Sequence, residues 1–158
     1  VLNEKQIKVS GKEIRDTNYP IGLFDMITAG DKTFRVILGE NKKFKMEESK
    51  DDGTKVIKIV GKKNLGKRGI QFNLMDGRNA LSNEKANVGD SVIYNYNDAK
   101  ISKIIKMDKG SEGFVIKGKH AGVKGKIVDI VEQGGKKIAV INDDKEKINV
   151  WVKNVIAM

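Results

Sequence analysis

Cysteine is absent from this 158-residue chain, and histidine, tryptophan and proline each occur once. The first absence excludes disulfides and cysteine–zinc sites, and it suits an intracellular, reducing compartment. With His120 as the only histidine, a zinc site made of histidines is excluded, as is any site built on a histidine pair. The usual nucleophile–base pairs of covalent catalysis are therefore largely lacking. No apolar run approaches the ~18 residues of a membrane span, and no signal-peptide pattern opens the chain. It begins at Val1 rather than Met, as expected of a fragment or a trimmed product. No Gly/Ser-rich or Pro-rich tract offers a flexible linker, so any modules are expected to pack closely. There is no internal repeat and no low-complexity tail.

What is there is charge and glycine. Lys+Arg number 31 against 21 Asp+Glu, a formal +10 at pH 7. Such a surplus favours a polyanionic partner, nucleic acid or an anionic surface. The last third, residues 99–158, carries most of the excess. The hydrophobic content of 39% can supply a core, because a chain of this size buries roughly 68–70% of its unfolded surface.

Seventeen glycines without a helix-sized apolar pattern suggest short strands and tight turns. Gln6 to Val9 and Glu13 to Arg15 flank Ser10-Gly11. Leu23 to Thr28 and Thr33 to Leu38 surround Ala29-Gly30-Asp31. Lys55 to Val60 and Gly69 to Leu74 come next, then a turn at Asp76-Gly77. Ser91 to Tyr96, Lys100 to Met107, Gly113 to Lys117, Gly125 to Val131, Lys136 to Asn142 and Lys147 to Val152 also suggest strands. Gly134-Gly135 is expected to close a hairpin. Ile148, Val150 and Val152 alternate with Asn149, Trp151 and Lys153, which turns one face to a core. Only Phe44 to Asp52 tolerates a helix. The expected fold is mostly β, in two small packed modules, the second with the strand density of a small barrel. Boundaries are placed near Tyr19-Pro20 and Asn97-Asp98-Ala99, giving segments 1–19, 20–97 and 98–158.

Enzyme motifs fail. Gly118, Gly122 and Gly125 have neither the phosphate-loop spacing nor the dinucleotide-binding spacing, and the residues after them suggest a strand. The acidic pairs Asp51-Asp52 and Asp143-Asp144 are expected to be solvated turn residues. No catalytic residue, metal site or cofactor is expected.

The segment from Gly113 to Ile130 suggests strand, glycine-punctuated loop, strand. Lys117, Lys119, Lys124 and Lys126 surround Gly118, Gly122 and Gly125, with His120 at the centre. Small residues at a loop tip and cations at its sides suit a phosphate backbone. Equally, the glycines shape a tight turn and the lysines keep it soluble; both roles can coexist. A second glycine-bounded basic loop holds Lys62, Lys63, Lys67 and Arg68. A third candidate is Arg78, since arginine suits bidentate phosphate contact, although a buried Asp76–Arg78 pair is the alternative. Trp151, Phe114, Tyr94 and Tyr96 could stack on bases, but strand alternation favours core roles for most. Phosphate and shape contacts with structured RNA are therefore expected over base stacking.

Phe114 to Ile127 resembles the KOW motif of ribosomal proteins and transcription elongation factors. Asp16 to Ile27, with Tyr19-Pro20-Ile21-Gly22-Leu23, resembles the opening of the central domain in the archaeal and eukaryotic small-subunit ribosomal protein S-four-e family. Further landmarks of that family occur in order. They are Phe34-Arg35-Val36, Lys58-Ile59, Gly69-Ile70-Gln71, Asp76-Gly77-Arg78-Asn79, Val88 to Val92, and Val150 to Ile156. Two departures stand out. Met75 occupies the place where the family usually has a histidine. Of the family's S-four-type RNA-binding module, only a tail, Ile7 to Arg15, is matched. The resemblance implies a structural protein of the small ribosomal subunit in the cytoplasm, with an SH3-like barrel for the KOW part. It implies ribosomal RNA and neighbouring ribosomal proteins as partners, and no cofactor, membrane or small-molecule substrate. Lys12 and Arg15 on the tail join the candidate RNA contacts. The alternatives are a KOW-bearing elongation factor on RNA polymerase and, more remotely, an RNA-modifying enzyme.

Overall fold

A computed structural model describes residues 7–39, 41–143 and 146–158. The start of the strand expected from Gln6, and Asp144 of the Asp143-Asp144 pair, lie outside the described residues. The architecture is mostly β, as expected, and its strands form three five-stranded antiparallel sheets, one of them curled into a half-barrel.

The first sheet contains β1 (Ile7–Val9), β2 (Lys12–Glu13), β3 (Met26–Ala29), β4 (Lys32–Leu38) and β5 (Phe44–Glu48), in the order β2-β1-β3-β4-β5. Ser10 and Gly11 turn β1 into β2 at φ 45° and 79°. Because β1 also pairs with β3, this sheet crosses Tyr19-Pro20. The helix-tolerant stretch from Phe44 is instead the edge strand β5, exposed along its length. Pairing decides its structure: β4 offers it a full row of backbone partners, and Arg35 lies directly opposite Glu47.

The second sheet contains β6 (Thr54–Asn64), β7 (Ile70–Leu74), β8 (Asn79–Ser82), β9 (Ser91–Asn95) and β10 (Lys100–Ile105), ordered β10-β9-β6-β7-β8. The long β6 is its spine. Residues 54–58 pair with β9, and residues from Ile59 onward pair with β7 across a bulge between Ile59 and Gly61. The third sheet contains β11 (Glu112–Val115), β12 (Lys124–Gln133), β13 (Lys136–Asn142), β14 (Lys147–Trp151) and β15 (Val155–Ala157), ordered β14-β13-β12-β11-β15. Gly134 and Gly135 close the β12–β13 hairpin with φ 58° and 71°. Two positive φ values match the twist of the flanking strands, and glycine adopts them without steric cost.

Each of the second and third sheets has its own apolar cluster, around Ile59, Phe72 and Val92 and around Ile127, Ile141 and Val155. A third cluster joins the first sheet to the last: Phe24 and Leu38 pack on Phe114, Ala121 and Ile156, with the two phenylalanine rings 5.5 Å apart. Polar pins add direction. Buried Asp25 accepts from Ser10 Oγ at 2.7 Å, from the Gly22 N–H at 2.6 Å and from Lys55 Nζ at 2.8 Å. Lys55 also lies 3.5 Å from Asp76. This network ties the first sheet to the second.

Lys58 ties the second sheet to the third. Its Nζ donates to the carbonyls of Val152 and Val155, both at 2.5 Å. Beside it, the Ala157 N–H donates to Ser91 Oγ at 3.0 Å, and the Met107 N–H to Asp90 Oδ1 at 3.0 Å. Burial lowers the Lys58 ammonium from 10.5 to about 8. Between those values the unfolded chain still holds a proton that the folded chain has released, so folding stability rises with pH there. Urea unfolding between pH 8 and 10 should show wild type gaining about 2 kcal/mol more than Lys58→Met. Parallel pH profiles for the two proteins would contradict this.

Candidate nucleic-acid interface

The KOW-like loop links β11 to β12 and is closed by its own backbone. The Val115 N–H donates to the Val123 carbonyl at 2.9 Å, and the Gly122 N–H to the Val115 carbonyl at 2.8 Å. Inside it, the Ala121 N–H donates to the Gly118 carbonyl and the Val123 N–H to that of His120, at 3.3 and 3.2 Å. Gly118 and Gly122 sit at φ 96° and 95°, where an L side chain is strained. Ala121 buries its methyl in the shared cluster, so the loop is anchored as well as closed. This geometry leaves Lys117 and Lys119 exposed and His120 half-buried.

Gly125 has a different task. It lies within β12, and a Cβ there would stand 2.4 Å from the carbonyl oxygen of Asn142 on β13. Lys124 is exposed but has its Nζ 3.1 Å from a Glu112 carboxylate oxygen. Lys126 is exposed and paired in register with Glu112.

Lys62 and Lys63 end β6, and Lys67 and Arg68 lie in a single 3-10 turn, Gly66–Arg68, between β6 and β7. All four are exposed. Lys62 Nζ donates to the Ala86 carbonyl at 3.0 Å, which draws it toward the body of the sheet. Arg78 is more committed. Its Nε is 3.4 Å from Asp76, and its guanidinium stands 5.6 Å from the Tyr94 ring centroid. Lys12 and Arg15 are exposed, and the Lys12 ammonium stands 5.5 Å from the Tyr19 ring centroid.

Two grooves bring candidates together with lysines that sequence reasoning did not single out. Lys117 and Gly118 share a groove of about 560 Å³ with Lys42, Phe44 and Met75. Lys62 shares one of about 680 Å³ with Lys85 and Lys106. The position of Lys42 next to Lys43 in a turn was the available signal. Of the aromatics, Phe114 and Tyr94 are buried and Tyr96 is half-buried, while Trp151 is 39% exposed.

Three small sheets with exposed lysines on backbone-closed, glycine-shaped loops define a rigid basic β protein suited to a polyanion. Comparison with known proteins shows the family. Residues 30–101 match the model of ribosomal family S4e. Small ribosomal subunit protein eS4 of Methanosphaera stadtmanae is 32% identical over 151 residues, covering 92% of this chain and 63% of that protein. The eS4 protein of Methanocella arvoryzae is 35% identical over 132 residues, covering 82% and 56%. This chain therefore spans less than two thirds of the length of either. The crystal structure of the 30S ribosomal protein S4e from Thermoplasma acidophilum superposes with a TM-score of 0.87 at 25% identity, covering 100% of this chain and 82% of that one. The chain belongs to ribosomal family S4e.

Gly125→Ala should lower stability by about 2 kcal/mol or more, because backbone atoms surround the new methyl. Gly134→Ala, with open space around it, should cost only about 1 kcal/mol for its positive φ. Equal midpoints for the two variants in denaturant unfolding would refute the close-approach role of Gly125.

Proposed function

We propose that this chain is a structural constituent of the small ribosomal subunit that binds ribosomal RNA through exposed cations on its glycine-shaped loops. The observation that carries this reading is the KOW-like loop. Its backbone is closed by internal hydrogen bonds, and Lys117 and Lys119 project from it with no side-chain partner among the described residues. A preset loop presents its ammonium groups to phosphates with no backbone left to order, so only the side chains lose freedom on binding. Membership of ribosomal family S4e, and relatives named as small ribosomal subunit proteins, support the same reading.

The contacts fall first to Lys117, Lys119 and Lys126 on the β11–β12 loop and β12, and to Lys63, Lys67 and Arg68 at the end of β6 and in the turn after it. Lys12, Arg15 and His120 are further candidate contacts. Lys62, Lys124 and Arg78 hold internal partners, so each must share its charge between the protein and RNA. Cations on a β scaffold position a structured RNA by its backbone, with neighbouring ribosomal proteins completing the site.

If about five phosphates are neutralised, log K for small-subunit rRNA should fall against log salt with a slope of about −3.5 to −4.5. A nearly flat dependence in filter binding would overturn the mechanism. Gly122→Val should weaken RNA binding more than Lys119→Ala, because it deforms the whole loop while the lysine supplies one contact among several. Undiminished binding by the Gly122→Val protein would count against the preset loop.

A further inference from the structure

Trp151 is the chain's single tryptophan. It lies at the end of β14, outside the basic glycine-bounded loops, and is 39% exposed. Two ammonium groups stand over its ring, Lys136 Nζ at 4.5 Å and Lys153 Nζ at 4.2 Å from the centroid. Next to it the second and third sheets leave a groove of about 420 Å³, walled by exposed Val60, Met75 and Val88. That volume falls in the range of small-ligand sites, about 300–1,000 Å³. No acidic side chain lines the groove among the described residues, while Lys58, Lys136, Lys137 and Lys153 do.

We infer that this groove captures one unpaired nucleotide of bound RNA, its base stacked on Trp151 and its phosphates neutralised by Lys136 and Lys153. The inference rests on the RNA-binding reading and adds base capture to it. The wall chemistry selects this occupant. A base presents flat apolar faces that need no hydrogen-bond partner, and its phosphates lie close enough for the flanking ammonium groups. An acidic peptide would satisfy the lysines, but its carboxylates come without the flat apolar face that a nucleotide sets beside its phosphate for the indole ring. Without RNA the two ammonium groups rest over the ring, and on binding they move from it to the phosphates and leave its face to the base.

The tryptophan is its own reporter. Titrating the full chain with a short single-stranded oligoadenylate should quench its fluorescence. Inorganic polyphosphate, which carries charge without bases, should bind and leave the emission unquenched. Trp151→Ala should weaken oligoadenylate binding about ten-fold, and Trp151→Phe, which keeps a stacking face, by no more than about three-fold. A gel shift by oligoadenylate with unchanged emission would overturn base capture while leaving phosphate-driven RNA binding intact. No gel shift with oligoadenylate or small-subunit rRNA would overturn both. Quenching by an acidic apolar peptide but not by oligoadenylate would assign the groove to a protein partner instead.

Discussion

One buried ammonium group holds the molecule in register. Lys58 projects from β6 and donates to the carbonyls of Val152 and Val155, on either side of Asn154. The Asn154 carbonyl in turn accepts from the Ile116 N–H at 2.8 Å, and Val155 pairs with Val115. Ile116 is the first residue of the KOW-like loop. The direction in which that loop presents its lysines thus depends on a side chain nearly sixty residues earlier. Burying a charge is costly, and the lowered pKa of Lys58 measures part of that cost. What the pair of bonds supplies is a specified position for the last strand; an apolar side chain in its place would leave the two carbonyls to find other partners. A neutral amine also has two N–H groups for the two carbonyls, so the clamp survives deprotonation.

The same economy of charge governs which cations are left in water, available to a polyanion. Lys55 is nearly inaccessible between Asp25 and Asp76, and Asp76 also holds Arg78. These four groups build the junction of the first two sheets. The exposed lysines on loops and strand ends are differently placed: their backbone is fixed while their side chains stay in water. A rigid frame of buried pairs carrying solvated cations suits binding by phosphate neutralisation, since the positions are set before the partner arrives.

Much of the frame was legible in the sequence. Period-two alternation located β14, and the Gly134-Gly135 pair located the β12–β13 turn, because both are local signals. The ordered landmarks from Tyr19 to Val92 pointed to the family that the comparisons bear out. What could not be seen is what depends on tertiary pairing. Phe44 to Glu48 has no strand pattern of its own and becomes β5 only because β4 has an open edge. β15 is three residues long and is defined by its partner β11. Lys58 was visible only as a landmark, since nothing nearby shows that its ammonium reaches Val152. Trp151 shared its strand with core residues, and alternation correctly put Ile148 and Val150 inside. Of the two cations over its ring, Lys153 shares its face in the period-two pattern, whereas Lys136 comes from β13, beyond any local pattern.

Lysine acetylation of the full chain, free and bound to small-subunit ribosomal RNA, tests most directly whether the preset loops are the RNA-facing surface. Mass spectrometry would read the extent of modification residue by residue. Lys117, Lys119, Lys126 and Lys67 should react in the free chain and be protected in the complex, with Lys55 and Lys58 unreactive in both. Protection confined to lysines elsewhere, with Lys117 and Lys119 still fully reactive in the complex, would contradict the account.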